Sequence, residues 1–74
     1  MMTNTPDDLK TLGFVIEDVE AEWGPEYKGL YRWLQFNELG ELEDAGGMQY
    51  SPEEAISSAY MYILSQERRN YKFT

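Results

Sequence analysis

The segment Tyr50-Ser51-Pro52-Glu53-Glu54-Ala55 constrains this chain more than any other. Ser51 is a helix N-cap by type, and Pro52 suits the first helical position, where its missing N–H costs nothing. Glu54 stands where a capping box places its carboxylate, and Tyr50 and Ala55 are spaced for a hydrophobic staple. Ala55, Ile56, Ala59, Tyr60, Ile63 and Leu64 then recur at helical spacing, which predicts an amphipathic helix over residues 52–69. Arg68 and Arg69 come near its C-terminal end, where positive charge suits the helix dipole. The apolar stripe of such a helix must be covered, and in a chain of 74 residues the segments before it have to do so.

Glycine and proline cut those segments into short pieces. Residues 1–5 read as a flexible polar arm. Thr5 as N-cap, Pro6 at the first helical position and Asp7 and Asp8 in the first turn predict a short helix over 6–12. Leu9 and Leu12 give it an apolar side, and Gly13 ends it. Phe14 to Trp23 reads as a strand. Val15, Val19, Ala21 and Trp23 share one parity of it, and Asp18, Glu20 and Glu22 share the other with Phe14 and Ile16. After a turn over Gly24 to Gly29, Leu30 to Asn37 reads as a second strand. Leu30, Arg32, Leu34 and Phe36 alternate there with Tyr31, Trp33, Gln35 and Asn37, and bulk on both faces marks a central strand. A second turn, Asn37-Glu38-Leu39-Gly40, leads to a short third strand, Glu41 to Ala45, which Gly46-Gly47 ends. The expected fold is a single α+β domain: an antiparallel meander over 14–45 packed on one long C-terminal helix, with a short N-terminal helix and a tail over 70–74.

Composition narrows the chemistry. With no cysteine and no histidine the chain lacks disulfides, thiolate ligands and the usual acid–base residue. Ser51, Ser57, Ser58 and Ser65 all fall in the helix cap or the helix, so none is placed as a nucleophile beside a base. Glu38, Glu41, Glu43 and Asp44 could hold a hard cation, but their spacing is not that of a calcium loop. Gly46-Gly47 is a turn rather than a phosphate-binding loop. The expectation is therefore no catalytic residue, no metal, no cofactor and no enzymatic activity. No apolar run approaches the ~18 residues of a membrane span, and Met1 to Thr5 has neither the basic start nor the apolar stretch of a secretory signal. A cytoplasmic location follows as the default expectation.

What remains is charge. Fourteen acidic residues face six basic ones, for a net charge of −8, and thirteen of the acids precede residue 67. Such a field repels nucleic acid and anionic membrane and attracts basic protein surfaces. If the long helix covers the sheet face of Val15, Val19, Ala21, Leu34, Phe36 and Leu42, the opposite face carries Asp18, Glu20, Glu22, Glu41 and Glu43 around Tyr31 and Trp33. Two aromatic anchors inside an acidic rim form a surface for a basic partner. The alternative is the reverse register, with Trp33 in the core. Exposed aromatic residues would equally suit a homodimer.

The short meander from Phe14, the helix start Tyr50-Ser51-Pro52-Glu53-Glu54-Ala55 and the acidic balance resemble small phage-encoded inhibitors, of which anti-CRISPR proteins and DNA mimics are the best-known groups. The resemblance covers the overall plan from Phe14 to Arg69. It implies occlusion in the host cytoplasm, with an acidic body occupying the basic nucleic-acid groove of a host defence or transcription protein. A basic tail departs from that pattern. A small interaction or homo-oligomeric module, acidic only for solubility, is the other reading.

Overall fold

A computed structural model describes residues 5–71, the side chains to residue 67. Its elements in chain order are α1 (Asp7–Thr11), β1 (Phe14–Asp18), α2 (Val19–Trp23), a 3₁₀ turn (Pro25–Tyr27), β2 (Tyr31–Phe36), β3 (Leu42–Ala45) and α3 (Pro52–Tyr71). The strands form one antiparallel sheet in the order β1-β2-β3. The expected α+β plan, with β2 central, is the one observed. Met1 to Asn4 and Lys72 to Thr74, most of the expected arm and part of the tail, lie outside the described residues, as do the side chains of Arg68 and Arg69.

Local signals explain the start of α3. The Ser51 hydroxyl oxygen accepts from the Glu54 N–H at 3.1 Å, and the Glu54 carboxylate reaches back to accept from the Tyr50 N–H at 3.0 Å. The first bond satisfies one of the amide groups that a helix start leaves without partners, and the second ties down the N–H of the residue before the cap. The hydrophobic staple does not form, because Tyr50 is 81% exposed while Ala55 is buried.

Thr5 does not cap α1. Its side-chain oxygen accepts from the Ile16 N–H at 3.2 Å, so this buried threonine ties the start of the chain to the outer edge of β1 rather than joining a flexible arm. Gly13 then turns the chain at φ +88°, a conformation that favours glycine, and a Cβ there would collide with the Phe36 carbonyl oxygen. The Gly13 carbonyl accepts from the Phe36 N–H at 2.9 Å, which sets the start of β1 against the end of β2.

The first strand is half the expected length. Phe14 to Asp18 is extended, but the Asp18 carboxylate accepts from the Glu20 N–H at 3.2 Å and caps α2. Val19 to Trp23 is therefore helical, not the second half of a strand. Aspartate is a preferred N-cap, and Glu, Ala and Glu follow it in a helix-tolerant run that Gly24 ends.

The face that packs on α3 is the one carrying Trp33, the alternative register, and not the face of Val15, Leu34 and Phe36. Register pairs Phe14 with Gln35, Ile16 with Trp33 and Asp18 with Tyr31, and pairs Val15 with Leu34 and Glu17 with Arg32. Leu9, Phe14, Ile16, Trp33, Ala55 and Ala59 make the core, and Tyr31, Ile56, Tyr62 and Ile63 pack against it. Ala55 and Ala59 have no exposed surface, so α3 approaches the sheet through its smallest side chains. That closeness makes room for the rings: Phe14 meets Trp33 edge-on at 5.3 Å between centroids, and Tyr62 lies 4.7 Å from Trp33 and 6.2 Å from Phe14. Tyr60 and Leu64, assigned to the buried stripe from sequence, lie on the exposed side of α3, and Tyr62 takes their place.

The sheet edge is irregular. Between Gln35↔Asp44 and Phe36↔Leu42 the register shifts by one residue, which leaves Glu43 as the extra residue of a bulge. Gly46 and Gly47 then lead the chain past the indole of Trp33 before Gln49 rejoins β2 in a bridge to Tyr31, with bonds of 2.7 and 2.8 Å. A Cβ at Gly46 would overlap the Trp33 ring, whereas one at Gly47 would meet nothing.

Candidate protein-binding surface

The seven residues expected to share one sheet face are dispersed. Trp33 is core, 3% exposed, and its indole N–H donates to the Ser58 hydroxyl at 3.2 Å. Tyr31 is half-buried on the same α3-facing side. Asp18 caps α2, and Glu20 and Glu22 belong to that helix. Glu41 sits in the β2–β3 turn, where its carboxylate accepts from the Asn37 side-chain amide at 3.1 Å, and Glu43 is the bulge residue of β3. The Asp18↔Tyr31 pair stands at one end of β2 and Phe36 at the other, so Glu20 and Glu22 are separated from Glu41 and Glu43 by the strand's length, about 17 Å at the usual rise per residue.

The physical reason is a near tie in sequence between the two parities. Phe14, Ile16, Trp33 and Tyr31 form one, and Val15, Leu34 and Phe36 the other. The first carries more aromatic bulk to fill the space beneath α3. The second is left with an ion pair at its end: the Arg32 Nε donates to Glu17 Oε1 at 2.6 Å, directly across the strands, and both side chains are largely buried.

Around that pair the structure assembles two aromatic residues, Trp23 and Tyr27. In the strand expected over Phe14 to Trp23, Trp23 falls on the parity of Val15, Val19 and Ala21. At the end of α2 it is 50% exposed, and the Arg32 guanidinium lies 5.5 Å from its ring centroid. Tyr27, from the 3₁₀ turn, meets Trp23 edge-on at 5.7 Å. The charged residues of this segment are Glu20, Glu22 and Glu26, followed by Lys28, with Glu22 and Glu26 exposed. The indole is thus fixed by a cation and a second ring while half its surface faces solvent. The signal that could have found it was Asp18 as a cap: it ends the alternation and carries Trp23 off the sheet.

Two tyrosines have altered acidity. The Tyr60 hydroxyl donates to both Asp8 oxygens, at 2.8 and 3.0 Å, and this bond to a carboxylate raises its pKa above the ordinary 10.0. Burial raises the Tyr62 pKa, and the Asp44 carboxylate adds to the shift. Both effects favour the neutral phenol. Among the described residues no group of three or more aspartates and glutamates could hold a metal ion, and no helix is long and apolar enough to cross a membrane.

Fold and surface define a small α+β protein with one sheet–helix core and a half-exposed tryptophan in an acidic segment. Comparison with protein-family models, curated proteins and solved structures finds no match.

Proposed function

We propose that this protein is a non-enzymatic binding protein that seats on a basic surface of another protein, with α2 and the 3₁₀ turn as its contact and Trp23 as the anchor. One observation carries the reading: Trp23 is half exposed yet held by Tyr27 and Arg32, in a segment where Glu20, Glu22 and Glu26 supply negative charge. Tryptophan is among the most favoured interface anchors, and a ring already fixed loses little entropy on binding. The carboxylates would steer a basic partner and repel nucleic acid. On a nucleic-acid-binding partner they would stand where phosphates stand, which is the occlusion mechanism of the phage-encoded, anti-CRISPR-type inhibitors that the chain resembles. Glu41 and Glu43, at the far end of the sheet, extend the acidic exterior without belonging to this contact.

The test compares immobilised wild-type chain with Trp23→Ala and with Glu20→Lys/Glu22→Lys for capture of proteins from bacterial lysate. Wild type should retain a basic protein at low salt and release it at high salt or to competing DNA. A central anchor contributes ≥ 2 kcal/mol, so Trp23→Ala should weaken the purified pair by roughly 30-fold. Capture indifferent to salt and to both variants would refute the reading.

A further inference from the structure

Away from Trp23, at the other end of the sheet, an open groove of about 620 Å³ separates the end of α1 from the β2–β3 hairpin. One wall is Lys10, Thr11, Leu12 and Gly13; the opposite wall is the hairpin with Glu38, Leu39 and Glu43, and Phe36 and Gln35 form part of the lining. Both walls carry a leucine that the fold does not use. Leu12 is 51% exposed, and Leu39, at the tip of the turn, is 82% exposed. The turn is held without the Leu39 side chain: the Asn37 side-chain oxygen accepts from the N–H groups of Leu39 and Glu41 at 2.9 and 3.0 Å. The walls also differ in sign, with Lys10 on one and Glu38 and Glu43 on the other. Among the described residues the only ion pair is Arg32–Glu17, so Lys10 reaches none of these carboxylates within its own chain.

We infer that this groove is the contact of a two-fold homodimer, in which the hairpin tip of each copy enters the groove of the other. A two-fold axis sets each wall against the unlike wall of its copy. Leu39 then packs on Leu12 of the second chain, and Lys10 meets Glu38 of the second chain, each contact made twice. Charge complementarity selects this occupant. Under the two-fold, Lys10 of each copy meets a carboxylate of the other and each leucine meets a leucine; Glu43 stays unmatched, so the complementarity is local and works against the net charge of −8 on each chain.

Sedimentation equilibrium of the purified full chain over a concentration series tests this. Wild type should show a monomer–dimer equilibrium. Leu39→Asp should weaken it at least ~10-fold, as placing a charge against an apolar contact does, without changing the circular dichroism spectrum, since the side chain is almost wholly exposed. Lys10→Glu should weaken it too, and Lys10→Glu/Glu38→Lys should restore association toward wild type. A wild-type chain that stays monomeric at millimolar concentration overturns the inference, and would leave the groove to a different protein. So does a dimer that ignores Leu39→Asp, or a double variant that associates no better than Lys10→Glu.

Discussion

Gly46→Ala is the sharpest probe of this core. Gly46 does not need a glycine backbone, because its φ lies outside the left-handed region. It needs glycine for space, since an added Cβ would overlap the indole of Trp33 at Nε1, Cδ1 and Cε2. The ring has little freedom to withdraw. Phe14 stands 5.3 Å away edge-on, Tyr62 is 4.7 Å away, and the Ser58 hydroxyl holds the indole N–H. Gly46 cannot easily move either, because its N–H donates to the Trp33 carbonyl at 2.9 Å. Overpacking of this kind costs about 1–3 kcal/mol, and with ring and backbone both pinned the upper half of that range is expected. For a domain of this size about 2–3 kcal/mol lowers Tm by roughly 8–24 °C. Gly47→Ala is the matched control, because nothing lies within 4 Å of its Cβ position. Urea unfolding of both variants, followed by far-UV circular dichroism, gives the difference. In a Trp33→Phe background the smaller ring frees the space, and the cost of Gly46→Ala should fall by about 1 kcal/mol or more, a coupling typical of residues in contact. Equal stability of Gly46→Ala and Gly47→Ala would refute the placement of Trp33 beneath α3 and beside this loop.

Other expectations follow from single contacts. Glu17→Gln removes one charge of the largely buried pair with Arg32 and should cost about 1.5–3 kcal/mol in urea unfolding. Ser51→Ala should cost about 1 kcal/mol by the same assay, leaving partner capture unchanged, because its hydroxyl serves only the start of α3. Tyr60 and Tyr62 are weak acids whose folded pKa values are raised above 10.0, so their contribution is fully present below pH 10 and is lost as pH rises through the folded values. Stability measured across this alkaline range should decline, and Tyr62→Phe, which keeps the ring against Trp33, should make the decline shallower. A steeper decline in Tyr62→Phe would contradict the assigned direction.

Much of the fold was legible because its signals are local. The cap at Ser51 and Glu54, the Asn37–Gly40 turn and the glycine that separates α1 from β1 act within a few residues, and each sits where the sequence places it. The candidate surface was not legible in the same way. Its expected aromatic residues were Tyr31 and Trp33, and the structure buries or half-buries both, leaving Trp23 exposed instead. The error began at Asp18. An aspartate in an alternating run reads equally as a polar strand residue and as a helix cap, and once it caps α2 the strand parity of Val19 to Trp23 ceases to matter; the burial of Trp33 follows instead from the choice between the two sheet faces.

The sequence by itself determined the fold class, the order of the main elements and the acidic balance, because periodicity, capping and charge are properties of short stretches or of plain composition. Only the tertiary structure decided which sheet face lies under α3. A strand offers two faces, and when both carry apolar residues the choice depends on which set fills the space left by a distant helix. Ala55 and Ala59 bring that helix close, Phe14, Trp33 and Tyr62 fill what remains, and Trp23 is left at the surface.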